Sequence, residues 1–320
     1  MAEATMTAIE VVPGIYAVRG KFADEFGFIT SYLVIDNDCA LVIDPGTAGD
    51  PGHRTLEAIR NLGLDPRKDV TGILCTHGHP DHVGGAYGLK KATSAPVMIH
   101  TGDADVLEDP QLFITDRLAL DFSERLSMRF DRGPLRVNYK GLKADRMLSH
   151  RDKVVVGELS LEVLHTGGHC IGHVILHDRA RKVVFTGDEA SNFPNDPRKF
   201  YLDLTGSISS KSAALATLKS LNAEYLLPSH DVPHLFGDVN LLLEQVSDGV
   251  IHFQDSLLHH LSARGEADVE QLVFDTKQSR SVPIPVTYQR LLSTTIQVVL
   301  EGLESAGLVK SDAKGIWTPS

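Results

Sequence analysis

Short apolar runs of β-strand length alternate with turn residues through the first hundred positions. Apolar residues at three- and four-residue spacing between the runs predict helices over Asp50–Leu64 and Val83–Lys91. The predicted strands are Gly14–Val18, Thr30–Ile35, Ala40–Asp44, Thr71–Cys75 and Pro96–His100. Strands that alternate with helices in this way indicate a layered α/β domain.

The same alternation returns in the second half of the chain. A helix is predicted over Ser209–Leu221, between the last two strands of the series. The predicted strands are Lys153–Val156, Leu159–His165, Val174–His177, Lys182–Thr186 and Tyr225–Pro228. We therefore expect two groups of strands, separated by a segment of different character.

That segment, residues 103–150, is predicted to be a helical insertion. Its apolar residues Ile114, Leu118, Phe122, Leu126 and Phe130 recur every four positions, which predicts one amphipathic helix. Residues 125–146 then carry seven basic side chains against two acidic ones. Long excursions between core strands are often lids or binding segments, so this basic tail is a candidate contact for an anionic substrate.

A change in composition near residue 238 predicts a domain boundary. Helices are predicted over Leu241–Ala263, Val269–Thr276 and Tyr288–Gly307, and residues 308–317 are typical of a β-hairpin. We therefore expect a catalytic domain over residues 1–238 and a small winged-helix-like module over residues 239–320. Residues 240–320 hold six basic and ten acidic side chains, a charge that disfavours contact with phosphates.

Composition narrows the class of protein. The 320 residues include 42% hydrophobic side chains, enough for a large core, and carry a net charge of −11. Such an acidic chain has no overall attraction for nucleic acid or anionic membranes. Three cysteines cannot form a disulfide framework, and we see no secretory signal or membrane-spanning run. We expect a cytoplasmic protein without membrane contact.

Four potential metal ligands lie within six positions of one another, directly after a predicted strand. They are His77, His79, Asp81 and His82, and we expect them in a loop that wraps around a metal ion. Neutral imidazole and carboxylate are ligands that zinc accepts while it keeps a position open for water. Similar groups follow later apolar runs, namely Asp44, His169, Asp188 and His230. These side chains are expected to meet at one edge of the sheets.

In this order, the residues resemble the five motifs of the metallo-β-lactamase superfamily. The resemblance extends over roughly residues 8–237 and implies a four-layer αβ/βα sandwich with a binuclear metal site. It implies that His77, His79 and His169 hold one metal and that Asp81, His82 and His230 hold the other. Asp188 would bridge the two metals, and Asp44 would orient a ligand or the attacking water. The implied cofactor is two zinc ions per chain, with iron or manganese as alternatives.

The resemblance also implies hydrolysis by a hydroxide ion shared between the two metals. Asp81 would steer this nucleophile and collect its proton. Tyr201 lies in a loop that glyoxalase-type relatives use near the substrate, so its phenol is a candidate proton donor. His173, four positions after His169, is interpreted as a structural histidine because the ligand set is complete without it.

Three activities fit these residues. The first is a hydrolase for an ester, thioester or lactone of a small, anionic substrate. The second is an endoribonuclease of the same superfamily, although the charge of the C-terminal module makes nucleic acid an unfavourable partner. The third is a mononuclear iron-dependent persulfide dioxygenase. Besides a small-molecule substrate, a second copy of the chain is a candidate partner, forming a homodimer.

Overall fold

Two β-sheets lie face to face at the centre of the computed structural model. The residues that the structure describes are 8–21, 28–49, 52–120, 139–191, 196–230, 239–279 and 289–320. Every strand predicted from the sequence is present, with ends that move by a few residues. Short strands that the pattern did not indicate are added at Ile9–Val12 and Arg146–Leu148.

The first sheet has seven strands in the order in which they occur along the chain. They are β1 (Ile9–Val12), β2 (Ile15–Lys21), β3 (Phe28–Asp36), β4 (Cys39–Ile43), β5 (Val70–Leu74), β6 (Val97–His100) and β7 (Arg146–Leu148). β1 to β4 are antiparallel, whereas β4 to β7 are parallel. The parallel strands therefore all end at the same edge of the sheet.

The second sheet has five strands in the spatial order β12-β11-β10-β9-β8. They are β8 (Lys153–Val156), β9 (Leu159–His165), β10 (Val174–Asp178), β11 (Val183–Gly187) and β12 (Tyr225–Pro228). The pair β11–β12 is parallel, and the other pairs are antiparallel. The start of β10 thus lies at the same edge as the ends of β11 and β12.

Alternation of side chains along each strand builds separate cores on the two faces of each sheet. In β4, Leu41 and Ile43 face the second sheet, whereas Ala40 and Val42 face the opposite side. In β11, Phe185 faces the first sheet and Val184 faces away from it. Both sheets are therefore covered on both faces, as their nearly continuous apolar sequences require.

Helices cover the outer faces. α1 (Gly52–Asn61) packs on the first sheet, and so does α3 (Ala86–Thr93). The short helix α2 (Pro80–Val83) precedes α3 in the chain. The second sheet is covered by α5 (Ile208–Ser220), which comes after α4 (Ala104–Glu108). The order helix, sheet, sheet, helix confirms the predicted four-layer sandwich.

The prediction of one regular amphipathic helix from Ile114 onward is wrong. In the described part of this segment, the chain forms a π-helix at Phe113–Arg117 and leaves the helical conformation at Ala119, where φ is +48°. Ile114 and Leu118 are buried, as the pattern predicts. The remaining apolar positions of the pattern and most of the basic tail fall within residues 121–138, outside the described residues.

Three helices and a hairpin form the C-terminal part of the chain. They are α6 (Val239–Arg264), α7 (Val269–Ser279), α8 (Gln289–Ser305), β13 (Val309–Ser311) and β14 (Trp317–Pro319). The predicted helices and hairpin are therefore present. Their apolar residues join those of α5 and of residues 113–120 in one continuous core. The domain boundary at residue 238 and the winged-helix interpretation stay predictions.

Within the residues that the structure describes, no helix is both long and apolar enough to cross a lipid bilayer.

Candidate metal centre

The side chains predicted as metal ligands lie at the edge where the strands end. β4 and β5 are in register at Ile43 and Leu74, so Asp44 and the residues that follow Leu74 leave the sheet side by side. β11 and β12 are in register at Gly187 and Pro228, which brings Asp188 near His230. The sheet topology therefore gathers residues that are up to 186 positions apart in the sequence.

Asp44 lies beneath this edge and joins several strand ends. Its φ of +53° is in the left-handed region, which a non-glycine residue adopts at a cost in energy. The buried carboxylate accepts hydrogen bonds from Thr76 N–H at 2.7 Å and from the Ser229 hydroxyl at 2.8 Å. It also lies 3.0 Å from Nδ1 of His82. Because this contact favours a proton on Nδ1, it leaves Nε2 of His82 free to bind a metal.

His77, His79 and His169 form the first donor set, in which one ligand atom from each residue lies within 4.8 Å of the others. Nε2 of His169 is 3.0 Å from Nδ1 of His79. Burial and the neighbouring imidazoles lower the pKa of His77 well below its ordinary value. Burial, followed by the charge of His79, lowers the pKa of His169 to about 3. The imidazoles of His77 and His169 are therefore neutral, which is the form that binds metals.

The second donor set is Asp81, His82 and His230, again with ligand atoms within 4.8 Å of one another. Oδ2 of Asp81 is 3.4 Å from Nε2 of His82 and 3.2 Å from Nε2 of His230. Asp81 and His82 belong to the one-turn helix α2 (Pro80–Val83) instead of the loop that we expected. Pro80 begins this helix, because its fixed φ and missing N–H suit a first helical position.

Charge distinguishes the second set from the first. Burial alone would lower the pKa of His230, but Asp188 and Asp81 raise it to about 9. Burial would also lower the pKa of His82, yet the carboxylates of Asp81, Asp188 and Asp44 raise it well above its ordinary value. The acids thus attract a positive charge, which a proton or a divalent cation can supply.

Asp188 lies between the two sets. Its Oδ2 is 3.6 Å from Nε2 of His169 and 3.4 Å from Nε2 of His230. Its Oδ1 is 3.6 Å from Nε2 of His82. One carboxylate therefore contacts ligands of both sets, which is the arrangement expected of a bridging residue.

The donors fit a divalent metal on two grounds. First, Nε2 of His77 is buried and makes no hydrogen bond within the described part of the chain. A buried polar atom without a partner costs free energy, and a metal ion would remove that cost. Second, three imidazoles on one side and two imidazoles with a carboxylate on the other are donors that zinc, iron and manganese accept.

A buried group of side chains holds the backbone of Asp188 in place. Nε2 of His173 accepts a hydrogen bond from Asp188 N–H at 3.0 Å, consistent with its interpretation as a structural histidine. The Lys211 ammonium donates to the Asp188 carbonyl at 3.0 Å and lies 3.1 Å from the Glu189 carboxylate. Glu189 also accepts a hydrogen bond from His169 N–H at 3.2 Å. This group thus supports a residue of the first set together with the bridging acid.

A second support is the segment Tyr201–Thr205, here named the support loop. The Tyr201 carbonyl accepts a hydrogen bond from Nδ1 of His169 at 2.6 Å. Oδ2 of the buried Asp203 lies 3.0 Å from Nε2 of His79. Two of the three residues in the first donor set are therefore oriented by one short loop. Sequence reasoning missed Asp203 because it follows the apolar run Phe200–Leu202 without any neighbouring histidine or acidic motif.

A buried ion pair joins the insertion to the two segments that carry the first donor set. Arg117 lies 3.1 Å from Asp103, and both side chains are almost fully buried. Asp103 accepts hydrogen bonds from Gly78 N–H at 2.8 Å and from the Cys170 thiol at 3.2 Å. Arg117 donates to the Thr205 hydroxyl at 2.6 Å. The sequence carries no signal for this pair beyond an arginine in an apolar segment.

Aromatic side chains form the apolar wall of the first donor set. The His79 ring centre lies 5.1 Å from that of Phe113 and 5.6 Å from that of Tyr201. The Tyr201 phenol is buried and makes no hydrogen bond of good geometry among the described residues. Burial, followed by the charge of Asp203, raises its pKa well above the ordinary value, so the phenol keeps its proton at neutral pH. Its predicted role as a proton donor stays a prediction.

Two glycines near the centre are required by backbone packing. A Cβ on Gly85 would lie 2.3 Å from the Pro45 carbonyl oxygen. A Cβ on Gly187, whose φ is +51°, would lie 2.5 Å from Nε2 of His173. Gly85, which follows the His77–His82 motif, therefore makes room for the loop after β4.

The sequence profile of the metallo-β-lactamase superfamily matches residues 24–230. An acyl-coenzyme A thioesterase of Gallus gallus is 29% identical over 191 residues, which cover 55% of this chain and 62% of that protein. A probable metallo-hydrolase of Bacillus subtilis is 28% identical over 158 residues, which cover 49% of this chain and 64% of that protein. The chain thus spans less than two thirds of the length of both relatives.

Solved structures share the fold over a longer range. A metallo-β-lactamase family protein from Thermus thermophilus superimposes with a TM-score of 0.75. The match covers 97% of this chain and 100% of that one, at 18% sequence identity. At this level of identity the similarity establishes the fold alone.

Proposed function

The chain belongs to the metallo-β-lactamase superfamily, and we propose that it is a hydrolase that uses two divalent metal ions to cleave a thioester or a related ester or lactone. The observation that carries this proposal is the position of Asp188, which contacts residues of both donor sets. A carboxylate shared in this way supports a binuclear site over a mononuclear one. When bound, two divalent cations polarise an acyl carbonyl and lower the pKa of water toward neutrality.

The chain's own residues contribute orientation and proton transfer. Asp81 presents its carboxylate between His82 and His230, where it can hold the proton of an attacking water. The Tyr201 phenol, protonated at neutral pH, can donate to the leaving group or to the carbonyl oxygen. Phe113 and Tyr201 exclude water from one side of the first donor set.

Two observations support a thioester on an anionic carrier. The Gallus gallus relative is an acyl-coenzyme A thioesterase, and the alignment with it covers 55% of this chain. The insertion contributes seven basic residues within 125–146, in a chain whose net charge is −11. A basic segment in an otherwise acidic chain favours phosphate or carboxylate groups on a substrate that contacts it.

The test begins with the metal content of the purified full-length protein, measured by mass spectrometry. Zinc-reconstituted protein is then assayed on a panel of acyl-thioesters, esters and lactones, with single-stranded RNA in parallel. The variants Asp188→Asn and His79→Ala remove the shared carboxylate and one imidazole. Asp248→Asn and His259→Ala, on the exposed face of α6, are the matched controls.

We expect about two metal ions per chain and hydrolysis of at least one thioester. Turnover should fall at least a thousandfold in Asp188→Asn and His79→Ala, whereas both controls should behave like the wild type. Activity close to that of the wild type in either site variant would contradict the site assignment. Cleavage of RNA without hydrolysis of the panel would favour the nuclease, and one iron ion per chain with oxygen consumption would favour the dioxygenase.

A further inference from the structure

The C-terminal helix α8 (Gln289–Ser305) is connected to the metal centre through one buried threonine. The Thr295 hydroxyl accepts a hydrogen bond from Leu202 N–H at 3.2 Å. It donates its own proton to the Leu291 carbonyl, one helical turn earlier, at 2.8 Å. Both Thr295 and Leu202 are completely buried. A threonine that donates to its own helix keeps a lone pair available for a second partner, and that partner is the support loop.

Leu202 lies between the two residues of the support loop that orient metal ligands. Tyr201 provides the carbonyl that faces Nδ1 of His169, and Asp203 provides the carboxylate that faces Nε2 of His79. A shift of the Leu202 peptide therefore moves both contacts. Leu202 belongs to the same apolar core as α8, and the hydrogen bond adds to this non-directional packing a preferred orientation of the Leu202 peptide.

Within the described residues, the Leu202 N–H has no hydrogen-bond partner in the sandwich itself. Leu204 N–H donates to the Arg117 carbonyl at 3.0 Å, and Asp203 N–H donates to the His169 carbonyl at 3.3 Å. The rest of the support loop is therefore bound to the insertion and to the segment that carries His169. Thr295 is thus a point at which the C-terminal helices contact the backbone of the support loop between its two orienting residues, next to Thr294, which interacts with the Tyr201 side chain.

We propose that Thr295 is a positioning residue, through which the C-terminal helices hold the support loop and thereby orient His79 and His169 for the first metal. The inference rests on the proposed metal site and goes beyond it, because it gives the C-terminal helices a role in metal binding. It places no part of α8 in contact with substrate or metal.

The test compares the zinc affinity of full-length variants, measured by competition with a chromophoric chelator. Thr295→Val keeps the shape of the side chain but removes the acceptor, whereas Thr295→Ser keeps it. The matched control is Thr276→Val in α7, since Thr276 is equally buried and its hydroxyl makes no hydrogen bond within the described residues. Thermal unfolding of the metal-free proteins reports stability separately.

We expect Thr295→Val to weaken binding of one zinc ion about tenfold relative to Thr276→Val, and Thr295→Ser to stay within about threefold of the wild type. Equal zinc affinity in Thr295→Val and Thr276→Val would overturn the proposal, as would a loss in Thr295→Ser as large as in Thr295→Val. If Thr295→Val does not fold, the zinc affinities of Thr295→Ala and Thr276→Ala are compared instead, and equal affinities would again overturn the proposal.

The outcome also separates this inference from the proposed function. If the wild-type protein binds no divalent metal, the proposed function fails and this inference fails with it. If the wild type binds two zinc ions and all variants bind them equally, only the role of Thr295 is wrong.

Discussion

The carboxylate of Asp203 lies 3.0 Å from Nε2 of His79, and both side chains are buried. A carboxylate in this position favours a proton on Nε2, so that Nδ1 carries the lone pair that faces His169. The charge of Asp203 therefore favours the tautomer of His79 whose lone pair faces the first donor set.

Asp203→Asn should weaken binding of one metal ion by about 10- to 100-fold, which is the usual range when a residue that orients a metal ligand is changed. The amide keeps the shape of the side chain but no longer stabilises one tautomer of His79. Zinc competition titrations measure the effect, with Asp255→Asn on the exposed face of α6 as control. Equal zinc affinity in the two variants would show that Asp203 has no orienting role.

Arg117→Met should destabilise the fold by about 3–5 kcal/mol, because it leaves the Asp103 carboxylate buried without its partner. Equilibrium unfolding in urea measures this change in the free energy of unfolding. Asp105 is exposed and also contacts Arg117, so Asp105→Asn is a control that should cost less than about 1 kcal/mol.

The double variant Arg117→Met/Asp103→Asn should be more stable than Arg117→Met alone, because the unpaired buried charge is removed with its partner. The same urea experiment completes the cycle. If the double variant is less stable than the wild type by the sum of the losses in Arg117→Met and Asp103→Asn, the two side chains do not interact and the ion pair does not contribute to the free energy of unfolding.

The protein should lose stability between about pH 6.5 and pH 4 through His100. Its ring stacks on that of His165 at 4.1 Å, and burial followed by the charge of His165 lowers its pKa to about 4. The unfolded chain binds this proton near pH 6.5, so the stabilisation is complete above that pH and is lost as the pH falls toward 4. For a ring partly screened by solvent we expect a loss of about 1 kcal/mol.

His100→Asn retains an acceptor for the Gly102 N–H and removes the titrating group. Melting temperatures at several pH values between 7 and 4 should therefore decrease less in this variant than in the wild type. His53→Asn, on the exposed side of α1, is the control and should follow the wild type. Parallel curves for all three proteins would exclude His100 as a contributor.

Tyr201→Phe should lower kcat about a hundredfold on the best substrate of the panel and change KM little, as expected of a proton donor. Its phenol pKa lies well above 10, so the loss should be the same from pH 7 to pH 9. Steady-state kinetics at three pH values measure both effects, and Tyr225→Phe in β12 is the control. An unchanged kcat would remove Tyr201 from the reaction.

The strands and the candidate metal ligands could be predicted from local sequence patterns, for different reasons. Strands such as Ala40–Asp44 are short apolar runs bounded by turn residues, and residues of this kind are buried on both faces of a sheet. The His77–His82 motif concentrates four ligand types in six positions, a density that surface segments rarely show. For these elements the local sequence is sufficient.

The apolar pattern predicted the burial of Ile114 and Leu118 correctly, but the regular helix does not continue through Ala119. Burial follows from hydrophobicity alone, whereas the backbone conformation also depends on Arg117, which is turned toward Asp103 within a π-helical segment. That interaction joins residues of two different elements, so no periodicity within the segment could reveal it.

By itself, the sequence determined the layered α/β class, the types of the candidate ligands and their order along the chain, because strand length, turn chemistry and metal preference are properties of neighbouring residues. Tertiary structure alone decided which nitrogen of each imidazole faces the site and which residues orient it. Asp203 reaches His79 across 124 positions, and Thr295 reaches Leu202 across 93. Such contacts depend on how the sheets and the C-terminal helices pack, and packing is a property of the whole chain.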